Sequence, residues 1–168
     1  MINNYDNLNK SIIEARGNKN SILQSYEIFI DNFNKLNDKY KFSVSFSSDY
    51  IFKQLEEIVN SKPRTLNYIP FGIKDIFNTE VLPTEMGSEI WKGFKAGNNA
   101  RIVDEIIFRG GLSFCKTSTA EFAVDYIEEG HTLNPHNVEH ITGTSSAGSA
   151  VAVACGALPI CLGSQTAG

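Results

Sequence analysis

The chain is short of several things at once. Its 168 residues include only three cysteines, Cys115, Cys155 and Cys161, an odd number scattered singly. That offers neither a disulfide framework nor a metal-ligand spacing, and the cytoplasm is the expected compartment. No apolar run reaches the roughly 18–20 residues of a membrane span. The stretch from Met1 to Asp6 is polar and lacks the basic-then-apolar layout of a signal peptide. Basic residues are outnumbered, 15 Lys plus Arg against 19 Asp plus Glu, for a net charge of −4. No basic cluster is present, so neither nucleic acid nor a membrane is expected as a partner. Hydrophobic residues at 42% and charged residues at 20% are ordinary for a globular chain, which argues against global disorder.

Glycine is almost missing from the first 62 residues, occurring only as Gly17, and becomes frequent from Pro63 onward. We read a helical segment over 1–62 and a second region over 63–168. In the first, Ile22, Tyr26, Phe29, Phe33 and Leu36 recur at helical spacing, which predicts an amphipathic helix over 21–38. Ser48 or Asp49 is the expected cap of a second helix with Phe52, Leu55 and Ile58/Val59 as its stripe. Between them Phe42, Val44 and Phe46 alternate as in a strand. In the second region, 69–73 reads as a strand and 98–109 as a helix closed by Gly110-Gly111. Strands are expected at 112–115 and, central and buried on both faces in a complete sheet, at 158–162, with a buried Ala/Val helix at 149–156. This alternation predicts an α/β fold, a mixed, largely parallel sheet flanked by helices.

Chemistry concentrates in Thr142-Gly143-Thr144-Ser145-Ser146-Ala147-Gly148-Ser149. Gly143 and Gly148 have P-loop spacing, but the P-loop lysine is absent, so that reading fails. A nucleophile elbow, G-x-S-x-G, fits at Gly143 and Ser145 and breaks at Ala147. A glycine-serine turn capping the following helix is the plainer alternative. Lys74 ends the apolar strand 69–73. Buried there, a lysine loses the preference for its charged form and can serve as a general base; at the surface it would simply pair with Asp75. His131, His136 and His140 are interrupted by Asn134-Pro135 and read as polar loop rather than a metal site.

These pieces align as a set. Ile69-Pro70-Phe71-Gly72-Ile73-Lys74-Asp75, Pro83-Thr84, Gly110-Gly111, Cys115-Lys116-Thr117, Glu121-Phe122-Ala123 and Asn134-Pro135-His136-Asn137 occur in order. The serine-glycine segment and Leu162 to Gly168 follow them. From about Ile69 to Gly168 the chain resembles the amidase signature family of serine hydrolases, in its N-terminal part. The resemblance implies Lys74 as the base and Ser145 as a relay serine preceded by a cis peptide bond. It implies a nucleophilic serine directly after Gly168, where the sequence stops. It further implies Ser146 and the backbone of Thr166, Ala167 and Gly168 around the substrate oxyanion. A hydroxyl both donates and accepts, so Ser145 can pass a proton to a neutral Lys74. No cofactor or metal is implied; the implied partner is a small-molecule amide.

Three functions fit these residues. One is an amidase acting on carbon–nitrogen bonds, present here as a piece expected to be inactive. Another is a fragment of the catalytic subunit of a transfer-RNA-dependent amidotransferase, against which Gln165 and Ala167 weigh. The third is a degenerate, non-catalytic product. On its own the 168-residue chain is expected to be aggregation-prone or only partly folded, because an uncovered strand edge invites association.

Overall fold

The structure, a computed structural model, describes residues 4–15, 17–124 and 132–165. Three helices come first, α1 (Asn4–Ala15), α2 (Lys19–Tyr40) and α3 (Ser48–Val59), with strand β1 (Ser43–Phe46) between the last two. Then follow β2 (Pro70–Lys74), α4 (Arg101–Phe108), β3 (Leu112–Thr117), α5 (Ala147–Ala154) and β4 (Ile160–Leu162). Short 3₁₀ turns lie at Glu89–Trp91 and Glu121–Ala123.

The strands form one sheet in the order β1-β3-β2-β4. The β2–β3 and β2–β4 pairs are parallel and the β1–β3 pair antiparallel. The sheet is therefore mixed and largely parallel, flanked by helices, as the alternation of elements predicts. Leu112, Phe114 and Cys115 of β3 share one core with α1–α3 and with Val151 and Ala152 of α5. On the opposite side Phe71 and Ile73 pack against Val103, with Ile106 and Ile107 completing the patch.

Local signals explain most boundaries. The Asn18 side chain accepts from Ser21 N–H, so α2 starts two residues before the expected 21, and its C-cap is Lys41 with φ +56. Helix α3 is capped by Ser47, whose side chain accepts from Tyr50 N–H, one residue ahead of the expected Ser48 or Asp49. Its buried stripe is Ile51, Leu55 and Ile58, while Phe52 and Val59 are half-buried. After α4, Gly110 N–H donates to Ile107 O and Gly111 N–H to Ile106 O, the double closure that needs a left-handed residue. Gly110 has φ +95 and abuts the Asn67 side chain.

Two strand readings are corrected. Phe42 is buried, but Val44 is exposed. Ser43 pairs with Thr117 and Ser45 with Lys116, leaving Val44 as an extra residue in a bulge that breaks the alternation. The strand expected over 158–162 is shorter, Ile160–Leu162, and among the described residues it pairs with β2 on one side. Leu158 is buried before β4 begins, and Ile160 at the start of β4 is 41% exposed.

A second bulge lies between Phe71 and Gly72, where β3 carries the additional residue. Gln54 of α3 serves the backbone there. Its side chain accepts from Ser113 N–H at 2.9 Å and donates to Ser113 O at 3.0 Å, all buried.

Candidate active site

Parallel strands β2, β3 and β4 bring their carboxyl ends together, the usual place for a site in such sheets. Lys74 is the last residue of β2 and Thr117 the last of β3, paired in register. Ser164 follows β4 by two residues. Neighbouring residues on paired strands share a face, so Lys74 and Thr117 point toward the side covered by α5.

Helix α5 comes close because Gly148 has no side chain. A Cβ there would lie 2.4 Å from both Phe42 O and Ser118 N. Gly148 N–H donates to Ser118 O at 3.1 Å, fastening the start of α5 to the end of β3. Ser149 then links three elements: its hydroxyl lies 2.7 Å from Thr117 Oγ1 and donates to Leu162 O at 2.7 Å. The Gly148 position that resembled a phosphate loop is thus explained by close packing of backbone.

The helix-capping reading of this segment is corrected too. Ser146 occupies the N-cap position of α5, but its side chain does not cap the helix. It bonds the backbone of Ser164 instead, accepting from Ser164 N–H at 3.1 Å and donating to Ser164 O at 3.0 Å. Ser145 Oγ donates to the same carbonyl at 3.4 Å, and Thr119 Oγ1 holds the Ser145 carbonyl at 2.7 Å.

Lys74 is fully buried. Its Nζ donates to Ser164 Oγ at 2.8 Å, and burial pushes its pKa below the ordinary lysine value. The surface alternative, pairing with Asp75, does not occur. Asp75 is itself buried and pairs with Lys116, Nζ to Oδ1 at 3.0 Å. Lys74, Ser145 and Ser146 therefore converge on one residue, Ser164. Sequence reasoning gives Ser164 no role; its only signal is membership of the closing Leu162-to-Gly168 motif.

Among the described residues every peptide bond is trans, including Thr144–Ser145, where the resemblance implied a cis bond. A non-proline cis bond costs about 2.5–4 kcal/mol and persists only where its surroundings impose it. Thr166, Ala167, Gly168 and His131 lie outside the described residues. His136 and His140 are exposed on the connection leading to Ser145. Among the described residues no group of three or more His, Cys, Asp or Glu side chains is placed to hold a metal ion. No helix among them is long and apolar enough to cross a membrane.

The family model for Amidase matches residues 24–168. The chain belongs to the amidase family. It is 38% identical over 107 residues to a glutamyl-tRNA(Gln) amidotransferase subunit of Chloroflexus aggregans, covering 61% of this chain and 22% of that protein. It is 34% identical over 156 residues to the same subunit of Psychrobacter cryohalolentis, covering 88% of this chain and 31% of that protein. The amidase chain thus spans between a fifth and a third of the length of these curated relatives. Its fold matches that of peptide amidase from Stenotrophomonas maltophilia with a TM-score of 0.71 at 22% identity, covering 88% of this chain and 34% of that one.

Proposed function

We propose that the protein carrying this amidase chain cleaves carbon–nitrogen bonds of small amides by acyl transfer to a serine, with Lys74 as general base. The observation that carries this reading is the buried Lys74 ammonium, which meets a hydroxyl, Ser164 Oγ, and not a carboxylate. A lysine without a carboxylate partner is easier to hold neutral, and a neutral lysine can take a proton near pH 7.

The attacking serine oxygen bonds to the carbonyl carbon while its proton passes through the serine hydroxyls, Ser145 foremost, to Lys74. Lys74 then returns the proton to the departing nitrogen as the C–N bond breaks. Water releases the acyl group from the serine ester. We assign the attacking serine to the position after Gly168, and oxyanion contacts to Ser146 and to the backbone N–H groups of Thr166, Ala167 and Gly168. A cytoplasmic location belongs to the same proposal.

The test is Lys74→Ala in the protein that carries these residues, assayed on a panel of aliphatic and aromatic amides. Loss of a general base costs at least about 10²-fold in kcat. Near-normal turnover in a folded variant removes Lys74 from the mechanism.

A second reading draws on the names of the curated relatives. In it the ammonia released from an amide is passed to an aminoacyl ester, with partner subunits. Ammonia release from glutamine that rises when candidate partner subunits are added separates this reading from the first.

A further inference from the structure

On the face of the sheet opposite the serines lies a second polar centre. Lys116 of β3 is fully buried, and its Nζ reaches three acceptors: Asp75 Oδ1 at 3.0 Å, Thr84 Oγ1 at 2.7 Å and Phe77 O at 2.8 Å. An ammonium has three hydrogens, so each finds a partner. Asp75 and Thr84 are also buried. Every one of these acceptors belongs to the segment that leaves β2 immediately after Lys74.

The same segment is tied back repeatedly. Asp75 N–H donates to Thr117 O at 3.0 Å and Met86 N–H to Asp75 O at 3.0 Å. Glu85 N–H donates to the Asp75 carboxylate at 3.2 Å. Ile76 and Phe77 N–H both donate to Lys74 O, at 2.7 and 3.0 Å. The backbone of Lys74 is thus the hinge of a loop folded around Lys116.

A buried ion pair is a poor device for stability, because desolvation consumes most of the Coulombic gain and apolar residues of similar volume often do as well. Its address here is specific: it grips the chain one residue beyond the candidate base. We infer that Lys116 and Asp75 are positioning residues for Lys74, fixing the carboxyl end of β2 so that the Lys74 side chain stays buried and aimed at Ser164.

The inference rests on the reading of Lys74 as the base, and the experiment separates the two. In the protein carrying this chain, the pH dependence of Lys74 acylation is measured by competitive labelling with acetic anhydride, alongside kcat and KM for amide hydrolysis. The variants are Lys116→Met, Asp75→Asn and the milder Thr84→Val, each checked for folding. In the parent, Lys74 should titrate below the ordinary lysine range, and Lys74→Ala should abolish turnover. If either fails, the base reading falls. With both in place, Lys116→Met and Asp75→Asn should shift Lys74 titration upward, as water reaches it. They should also lower kcat by about 10²-fold with KM changed less than threefold, the scale of a misplacement of roughly 1 Å. Thr84→Val should move both readouts the same way by a smaller factor, which keeps the test available should the charge variants not fold. Because the residues act as one unit, the double variant should lose no more than the worse single. Folded variants that melt earlier but keep the parent's Lys74 titration and kcat overturn the inference and leave the pair a packing element.

Discussion

Replacing Gly148 with alanine tests how α5 is seated. The new methyl would lie 2.4 Å from Phe42 O and Ser118 N and 2.5 Å from Ser118 Oγ. Two of those atoms are backbone and cannot swing aside, so the helix must retreat. Overpacking of this kind costs about 1–3 kcal/mol, and retreat stretches the Gly148–Ser118 hydrogen bond, worth about 0.5–1.5 kcal/mol. Alanine returns up to about 1 kcal/mol of helix propensity, so steric repulsion wins by roughly 0.5–3.5 kcal/mol. At about 2–4 °C per kcal/mol for a chain of this size, the melting temperature should fall by about 1–14 °C. Ala150, two residues on, is exposed and provides the control: Ala150→Gly should cost only its propensity, about 1 kcal/mol. Thermal unfolding by circular dichroism, with size-exclusion chromatography to exclude aggregation, reads both. A Gly148→Ala protein melting at or above the parent would show that α5 does not approach β3 as described.

Other perturbations have signs set by the structure. Gln54→Leu strands both backbone groups of Ser113 at the bulge and should cost about 2–6 kcal/mol by urea unfolding, at about 1–3 kcal/mol per orphaned group; an unchanged midpoint would refute the bridge. Ser149→Ala removes the link between Thr117 and Leu162 O, and should cost about 1–3 kcal/mol while lowering protection of β4 amides in hydrogen exchange. Tyr26 donates to Tyr68 O at 2.7 Å, and burial holds its hydroxyl well above the ordinary pKa of 10.0. A phenol that stays protonated in the folded chain and ionises in the unfolded one draws stability down as pH rises past about 10. Tyr26→Phe should therefore be less stable than the parent by about 1 kcal/mol at pH 7, with the gap narrowing by pH 11. A constant difference across that range would contradict the assignment.

The readable parts of this fold were those carried by periodicity. The stripe Ile22, Tyr26, Phe29, Phe33 is buried as its spacing predicts, and Gly110-Gly111 closes α4. Bulges were not readable. Val44 follows the alternating pattern yet faces solvent, because one extra residue reverses the side on which a strand residue falls. Gln54 interrupts a hydrophobic stripe, and only the gap in the β2–β3 ladder shows why a polar side chain is buried there. Lys116 was invisible as a buried group because lysine is ordinarily exposed; its three acceptors come from a segment more than thirty residues earlier in the chain. Ser164 carries no period at all, and its importance appears only when β4 sets it beside Lys74.

The bulge at Val44 also gives the sheet a direction of growth. Strand β1 is an edge four residues long, twisted by its extra residue, and such an edge is a poor template for another strand. At the opposite side β4 carries no bulge, pairs in simple register with β2, and among the described residues has a neighbour on one flank alone. Any further strand is thus steered to one flank. A strand added there would line up beside Ile160–Leu162, two residues from the Ser164 hydroxyl that meets Lys74.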